Sequence, residues 1–263
     1  MLPGVAAEER LTWIGHATVA LEIGGARLLT DPLLRDRVAH LTRHGPTPDP
    51  AVTADLDAVL ISHLHRDHLD LPSLRGLGRA MALYVPRGAA AYLARLGFTR
   101  VHELAVGEEV AIGGARVRAV AATHDGRRHP GRGGPVAEAI GFEVRGTASV
   151  YFAGDTDVFA EMAALAGRID VALLPVWGWG PTLGPGHMDP EAAARAVALV
   201  RPRAAVPIHW GTLFPRGLAR VRPAALVEPP RAFARLVAEH APGVTVRVLS
   251  PGDALALDPV AAR

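Results

Sequence analysis

Histidine and aspartate are concentrated in one short segment, where His63, His65, Asp67 and His68 form the pattern His-x-His-x-Asp-His. In extended backbone, side chains two residues apart point the same way, so His63 and His65 can bind one metal ion. Asp67 and His68 lie just beyond and are displaced enough to face a second ion. From composition, the pattern arises by chance on the order of 10⁻³ times in a chain of this length. The segment therefore predicts a metal site, with a solvated polar loop as the alternative.

Three isolated residues, His124, Asp155 and His209, each follow a predicted strand and extend the candidate ligand set. Alone, each is typical of an ordinary loop. Their shared placement at strand ends favours a common rim. The chain has no cysteine, so any metal must be held by histidine and carboxylate side chains, and disulfides are excluded.

Composition bounds the kind of protein that carries this site. The chain has 263 residues, of which 49% are hydrophobic and 21% charged, so it can bury a large core, and we expect residues 1–263 to form a single domain. A formal charge of +2 and dispersed arginines do not favour nucleic-acid binding. No run of 18 apolar residues predicts membrane insertion, and residues 1–13 lack the features of a signal peptide. We therefore expect a cytoplasmic protein.

The elements that must position the polar residues can be inferred from periodicity and turn residues. Residues 57–61 are predicted as a buried strand that delivers the His-rich segment to one edge of a sheet. Hairpins are predicted to turn at Gly24-Gly25, at Gly113-Gly114 and near Gly146. Further strands are predicted near Leu83 and Val101 and over residues 171–174, 204–207 and 244–248. Helices are predicted over residues 73–77, 88–96, 158–166, 190–200 and 231–240.

Two β-rich stretches, each followed by α/β segments, predict an α/β fold in which two sheets pack together with helices outside. The helix at Pro190 has a well-marked start, with Asp189 as N-cap and Glu191 in the first turn. The Gly/Pro-rich residues 177–186 are predicted to form a pocket rim.

The motifs together resemble the metallo-β-lactamase superfamily. The resemblance rests on the His-rich segment, on Ala153-Gly154-Asp155-Thr156, and on Pro207-Ile208-His209-Trp210-Gly211-Thr212. More narrowly, the chain is similar to the branch that contains N-acyl-phosphatidylethanolamine-hydrolysing phospholipase D and ascorbate-6-phosphate lactonase. Residues 13–18, 29–32, 70–74, 187–191 and 228–230 also match that branch, and the resemblance runs from about residue 11 to about residue 257. It implies a four-layer αββα sandwich with the site along one edge of the two sheets.

The resemblance also implies the ligand sets of two divalent metal ions. His63, His65 and His124 would hold one ion, Asp67, His68 and His209 the other, and Asp155 would bridge them. Nitrogen and oxygen ligands fit Zn²⁺, with Mn²⁺ or Fe²⁺ as alternatives. Such a pair implies hydrolysis by a water activated between the ions, with Asp67 and Asp155 as catalytic residues.

Several residues near these motifs have two interpretations each. Asp31 accepts the free ring N–H of a liganding histidine, or it is a turn residue before Pro32. His187 reaches the substrate or donates a proton to the leaving group, or it only precedes a helix N-cap. His16 is a site residue or a buried histidine bonded to backbone. The other candidates are Arg127 and Arg128, as an anion clamp or a solvated loop, and Trp177 and Trp179, as pocket wall or loop packing.

The sequence thus predicts a metal-dependent hydrolase that acts on a small ester-like substrate. Two divalent cations less Asp67, Asp155 and one hydroxide leave about +1 at the site, which favours an anionic substrate such as a phosphodiester or a phosphorylated lactone. A nuclease of the same fold is an alternative, although no basic track is visible. The alternative outside enzymes is a metal-dependent binding or regulatory module without turnover.

Overall fold

Two seven-stranded sheets form the centre of the protein in the computed structural model, which describes residues 8–129, 133–177 and 184–257. Strands are numbered in chain order throughout. The first sheet contains β1 (Arg10–Gly15), β2 (Thr18–Ile23), β3 (Ala26–Thr30), β6 (Ala58–Leu60), β7 (Leu83–Pro86), β8 (Val101–Leu104) and β17 (Ala254–Ala256). The second contains β9 (Glu109–Ile112), β10 (Ala115–Ala121), β11 (Ile140–Arg145), β12 (Ser149–Phe152), β13 (Val171–Pro175), β14 (Ala204–Ile208) and β16 (Thr245–Val246).

The first sheet has the spatial order β17-β1-β2-β3-β6-β7-β8. The strands β1 to β3 are antiparallel, and the predicted hairpin between β2 and β3 is confirmed. Its turn residues Gly24 and Gly25 have φ values of 57° and 71°, which glycine adopts without steric cost. From β3 to β8 the strands run parallel, so β3 and β6 end at the same edge of the sheet.

The second sheet has the order β16-β14-β13-β12-β11-β10-β9. The strands β9 to β12 are antiparallel, and β12, β13, β14 and β16 are parallel. Both predicted hairpins, between β9 and β10 and between β11 and β12, are confirmed. Because β10 is antiparallel to β11 and β11 to β12, the ends of β10, β12 and β14 lie at one edge.

The two sheets pack face to face through an aliphatic and aromatic core. In β11, Ile140, Phe142 and Val144 alternate toward this core, as expected for a strand with one face on another sheet. Leu28 and Leu60 of the first sheet face the same core, while Leu29 faces outward.

Helices cover the outer face of each sheet. The short helices α1 (Leu71–Leu77) and α2 (Ala90–Arg95) pack on the first sheet, and α3 (Pro190–Val200) and α4 (Glu228–His240) pack on the second. The predicted start of α3 is confirmed, since the Asp189 side chain accepts a hydrogen bond from the Ala192 N–H at 2.8 Å. The predicted αββα sandwich is therefore confirmed.

Some elements differ from the sequence prediction. A small third sheet of β4 (Arg37–Val38), β5 (Leu41–Arg43) and β15 (Leu213–Pro215) was not predicted, because strands of two or three residues carry no readable period. Residues 160–165 form a 3-10 helix within the predicted α-helical range. Helix α4 begins three residues earlier than predicted, since prolines fit the first turn of a helix.

Among residues 8–129, 133–177 and 184–257, no helix has both the length and the hydropathy that a bilayer span requires.

Candidate metal centre

The predicted site residues follow strands that end at one edge of the sandwich. His63 follows β6, His124 follows β10, Asp155 follows β12 and His209 follows β14. The first strand belongs to the first sheet and the other three to the second, so both sheets contribute. Ring centroids of His63 and His124 lie 4.5 Å apart, which places the two sheets' residues in one cluster.

One group of histidines corresponds to the first predicted ligand set. Potential ligand atoms of His63, His65 and His124 all lie within 4.8 Å of one another. His124 Nε2 and His65 Nδ1 are 3.0 Å apart. In tetrahedral zinc sites with Zn–N distances near 2.0–2.1 Å, ligand nitrogens are separated by about 3.3 Å. His63 Nε2 is buried and has no hydrogen-bond partner among the described residues. The group therefore has the composition and spacing of a three-histidine site.

A second group contains a carboxylate and corresponds to the second predicted set, with His16 added. Potential ligand atoms of His16, Asp67, His68 and His209 lie within 4.8 Å of one another. His68 Nε2 and His209 Nε2 are 3.2 Å apart. Asp155 directs Oδ2 to His68 Nε2 at 3.2 Å and Oδ1 to His209 Nε2 at 3.3 Å. Its carboxylate also groups with His124, so Asp155 lies between the two sets.

Hydrogen bonds behind the rings determine which nitrogens are free to bind a cation. The Nδ1–H of His68 donates to Asp31 Oδ2 at 2.7 Å, that of His124 to the Gly186 carbonyl at 2.7 Å, and that of His209 to the Trp177 carbonyl at 2.5 Å. A carbonyl or an ionised carboxylate only accepts, so in each neutral ring the Nε2 atom carries the lone pair. Two such lone pairs 3.2 Å apart repel each other unless a proton or a metal cation lies between them.

The electrostatic environment of the cluster favours the ionised form of its two carboxylates, which is the form that binds metal. Burial alone would raise the pKa of Asp155, but the charges of His209 and His68 outweigh it and lower the pKa well below its usual value. Burial opposes ionisation of Asp67 too, and His68 and His16 still lower its pKa. Both carboxylates are therefore ionised at neutral pH, as metal binding requires.

The histidine pKa values fall into two classes, one lowered by burial and one raised by neighbouring carboxylates. Burial lowers the pKa of His63 well below its usual value and that of His65 to about 4, so these rings are neutral. Burial also acts to lower the pKa of His68, but Asp155 and Asp67 reverse this effect and raise it well above its usual value. A positive charge is thus favoured where His68 meets both carboxylates, and a divalent cation satisfies the same preference.

Asp31 has a role that matches the first of its two interpretations. Its buried carboxylate accepts the Ser62 N–H at 2.7 Å, the Ser62 hydroxyl at 2.5 Å and the His68 Nδ1–H at 2.7 Å. Because the Ser62 hydroxyl donates to Asp31, its oxygen accepts from His63 Nδ1, 3.0 Å away. Asp31 therefore orients one histidine of each ligand group, directly for His68 and through Ser62 for His63.

Replacing Asp31 with alanine is expected to weaken metal binding about 10- to 100-fold, because the rings of His63 and His68 lose their orienting partner. Competition with a chromophoric chelator measures the change. Asp170→Ala is the matched control, since Asp170 accepts the N–H and hydroxyl of Ser149 at 2.9 and 2.7 Å but contacts no candidate ligand. Equal affinities in the two folded variants would contradict this role for Asp31.

Three residues of the site have left-handed backbone, with φ of 54° at His16, 34° at Asp31 and 62° at His209. Residues with a side chain rarely adopt this conformation, and each occurrence costs of order 1–3 kcal/mol.

His16 is 2% exposed and its Nε2 lies 3.0 Å from Asp67 Oδ2. The His16 ring therefore lies among the candidate ligands and contacts one of their side chains.

His187 fits both of its interpretations. It lies two residues before the N-cap of α3, and its Nε2 is 3.7 Å from Asp155 Oδ2. Its Nδ1 is buried and has no hydrogen-bond partner within the described ranges. The ring packs edge-on against His124, with centroids 4.6 Å apart.

The position of Arg128 differs from both of its interpretations, the anion clamp and the solvated loop. Its side chain is neither an anion clamp nor solvated, since the residue is 6% exposed and its Nη1 donates to backbone carbonyls of the His-rich loop. Arg127 is different, because its side chain is 58% exposed and lies 3.7 Å from Asp125. The Trp177 ring packs against Phe214 in a tilted arrangement, with centroids 5.7 Å apart and an angle of 37° between the ring planes. Trp179 lies outside the described residues.

Sequence reasoning identified Asp31 as a group that orients a ring, and it missed the others. Ser62 precedes the motif directly and carries a hydroxyl, which was a readable signal. The carbonyls of Gly186 and Trp177 left no signal, since every residue has one. Gly154 was quoted only as part of a motif, yet its φ of 62° and the 2.6 Å that would separate a Cβ there from Ser62 Cβ show why glycine precedes Asp155.

Known proteins match this chain over more than nine tenths of its length. A UPF0173 metal-dependent hydrolase of Methanopyrus kandleri is 34% identical over 261 residues, which cover 93% of this chain and 98% of the relative. An uncharacterized protein of Mycobacterium tuberculosis is 36% identical over 267 residues, which cover 95% of this chain and 69% of the relative.

Solved structures with the same fold include metal-dependent enzymes. Igni18, described as a novel metallo hydrolase from Ignicoccus hospitalis, has a TM-score of 0.71 and 26% identity, and the match covers 96% of this chain and 99% of that one. CmlA, a diiron β-hydroxylase from Streptomyces venezuelae, has a TM-score of 0.74 and 21% identity over 96% of this chain and 55% of its own, a likeness in fold alone. Residues 26–210 match the family described as the beta-lactamase superfamily domain, and the chain therefore belongs to that superfamily.

Proposed function

We propose that the protein is a dinuclear metal-dependent hydrolase that cleaves an ester-type bond in a small anionic substrate, such as a phosphodiester or a phosphorylated lactone. The observation that carries the proposal is the convergence of His68 Nε2, His209 Nε2 and both oxygens of Asp155 within 3.2–3.3 Å. Ring nitrogens whose protons are held elsewhere, beside an ionised carboxylate, form a donor set for a cation. The hydrolase names of the relatives support the same reaction class.

The ligands divide between two ions in this proposal. His63, His65 and His124 would hold one, and Asp67, His68 and His209 would hold the other. Asp155 would be shared by both ions, because its carboxylate faces His68 and His209 and also groups with His124. The set contains only nitrogen and oxygen donors, which suits Zn²⁺, and Mn²⁺ or Fe²⁺ as alternatives.

Two divalent ions bound at these residues would supply an acidified water as nucleophile and would stabilise negative charge at the attacked centre. The chain's own residues hold the reactants. Asp67 and Asp155 stay ionised, and His16 donates to Asp67 Oδ2 and so restricts the rotation of that carboxylate. In this proposal His187 delivers a proton to the leaving group from its Nε2 atom, which lies 3.7 Å from Asp155 Oδ2 at the centre of the site.

The charge balance of the site supports an anionic substrate. Two divalent ions outweigh the two carboxylates Asp67 and Asp155, and one hydroxide leaves about +1. Arg127 adds an exposed guanidinium three residues after His124. Its Nη1 lies 3.7 Å from Asp125 Oδ1, which is longer than a hydrogen bond. A phosphate oxygen competes well for such a group.

The test combines metal analysis with a substrate panel. We expect two metal equivalents per chain and metal-dependent hydrolysis of bis-p-nitrophenyl phosphate or a phosphorylated lactone, measured beside thioesters and phospholipids. Short oligonucleotides in the panel identify a nuclease. Two bound metals without turnover on any substrate would contradict the hydrolase proposal and favour a binding module.

Arg127→Ala tests the substrate charge. Losing a charged hydrogen bond costs about 1.5–3 kcal/mol, so kcat/KM for the anionic phosphodiester should fall at least roughly tenfold. A neutral aryl ester should be hardly affected. An equal loss on both substrates, or no loss on either, would separate Arg127 from substrate binding.

A further inference from the structure

One buried guanidinium joins the loops that carry the first ligand group. Arg128 Nη1 donates to the carbonyl of Leu64 at 2.7 Å, to that of Leu69 at 2.7 Å and to that of His65 at 3.2 Å. These three carbonyls enclose the part of the His-rich loop that contains Asp67 and His68. A single nitrogen therefore fixes both ends of the loop.

Arg128 reaches this loop from the other sheet. It lies four residues after His124, on the segment that leaves β10. Its backbone N–H donates to the Pro135 carbonyl at 2.9 Å, and the Ala137 N–H donates to the Gly126 carbonyl at 3.0 Å. This pairing requires a glycine at 126, because a Cβ there would clash with the Ala137 carbonyl. The base of the side chain is thus held independently of the loop that it contacts.

The loop has a local reason to need this cation. The N–H groups of His68 and Leu69 both donate to the His65 carbonyl, which makes residues 65–69 a single tight turn. The carbonyls of Leu64 and Leu69 lack these internal donors and receive Nη1. A hydrogen bond from a charged donor is stronger than one from a neutral donor, and a buried carbonyl left without a donor is costly. Without Arg128, the turn would have to reorganise to reach water.

We propose that Arg128 is a positioning residue that fixes the His-rich loop of the first sheet relative to His124 of the second, and thereby sets the geometry of the three-histidine site. This inference rests on the proposed metal centre. It assigns Arg128 no contact with substrate. It differs from simple fold stabilisation in one measurable respect, because the effect of the guanidinium on the loop must appear in metal affinity in the folded protein.

The experiment compares Arg128→Ala, Arg128→Lys and Arg168→Ala. Arg168 is the matched control, because its guanidinium pairs with the buried Glu143 at 3.1 Å, and its replacement removes a charged contact of a buried group at a position outside the ligand loops. Metal affinity is measured for each folded variant by chelator competition. We expect Arg128→Ala to weaken binding of the metal ion held by the three histidines at least about tenfold. The affinity of Arg128→Lys for this ion should lie between those of Arg128→Ala and the unmodified protein. Arg168→Ala should keep the original affinities.

Chemical rescue is the second measurement. Methylguanidinium at a concentration too low to denature the protein should restore metal affinity in Arg128→Ala and leave the Arg168→Ala variant unchanged. Amide exchange across residues 62–70 of the metal-free protein should be faster in Arg128→Ala and slow again with methylguanidinium. If the alanine variant does not fold, the lysine variant carries the same comparison.

Unchanged metal affinity in a folded Arg128 variant would overturn the proposal, as would a loss of affinity equal to that of Arg168→Ala. The two proposals fail separately. If the unmodified protein binds no metal, the proposed function fails. If it binds two ions and the Arg128 variants bind them equally well, only the positioning role fails.

Discussion

Replacing Asp155 with alanine is expected to empty both metal positions and to lower hydrolysis at least about a thousandfold, since metal ions supply several kcal/mol of transition-state stabilisation. The physical reason is ligand counting. Without a shared carboxylate, each ion would have three protein ligands, and the positive charge favoured at His68 would lose Asp155 and keep Asp67 and Asp31 as carboxylate partners. Metal content per chain and kcat/KM should fall together.

The comparison for this prediction is His209→Ala. His209 lies in only one of the two ligand groups, so its loss should mainly empty one position and leave the three-histidine group loaded. A structure of the metal-loaded protein gives the sharpest check. Asp155 oxygens more than about 4 Å from either ion, far outside a ligand distance of roughly 2.0–2.2 Å, would remove the bridging role.

Chelation is expected to lower the melting temperature by about 10 °C or more. A site with free metal at about a thousand times its Kd contributes about 4 kcal/mol, and each kcal/mol moves the melting temperature of a chain of this size by about 2–4 °C. The ligands come from both sheets, so bound metal opposes separation of the sheets at this edge. Differential scanning calorimetry before and after verified metal removal measures the shift.

The control for this stability effect is the Asp155→Ala variant, whose melting temperature should not respond to added metal. Metal that stabilised the variant as much as the original protein would be acting elsewhere. No change on removing metal from the original protein would show that hydrogen bonds such as those of Asp31 already hold the loops.

The sequence predicted the sandwich and the cluster because both depend on short-range signals. Apolar alternation identified the strands, and a polar residue after a strand end must lie at a sheet edge. The orienting groups other than Asp31 depend instead on long-range packing. The carbonyl of Trp177 meets His209 only once β13 and β14 are parallel neighbours, and Arg128 meets Leu64 only once the two sheets are stacked. Arg128 therefore read as a loop arginine from its neighbours in sequence.

The pairing of β1 with β17 determines when folding of the first sheet can finish. Arg10 pairs with Ala256, and Trp13 exchanges backbone hydrogen bonds with Gly252 and Asp253. Contacts between residues so distant in sequence form slowly, because the loop between them must close first. On the ribosome, β1 is made before β17, and the edge of β1 that pairs with β17 stays open until every strand between them has been made. An open strand edge is a template for pairing with other chains, so the newly made protein passes through a stage in which it depends on dilution or on chaperones to avoid aggregation.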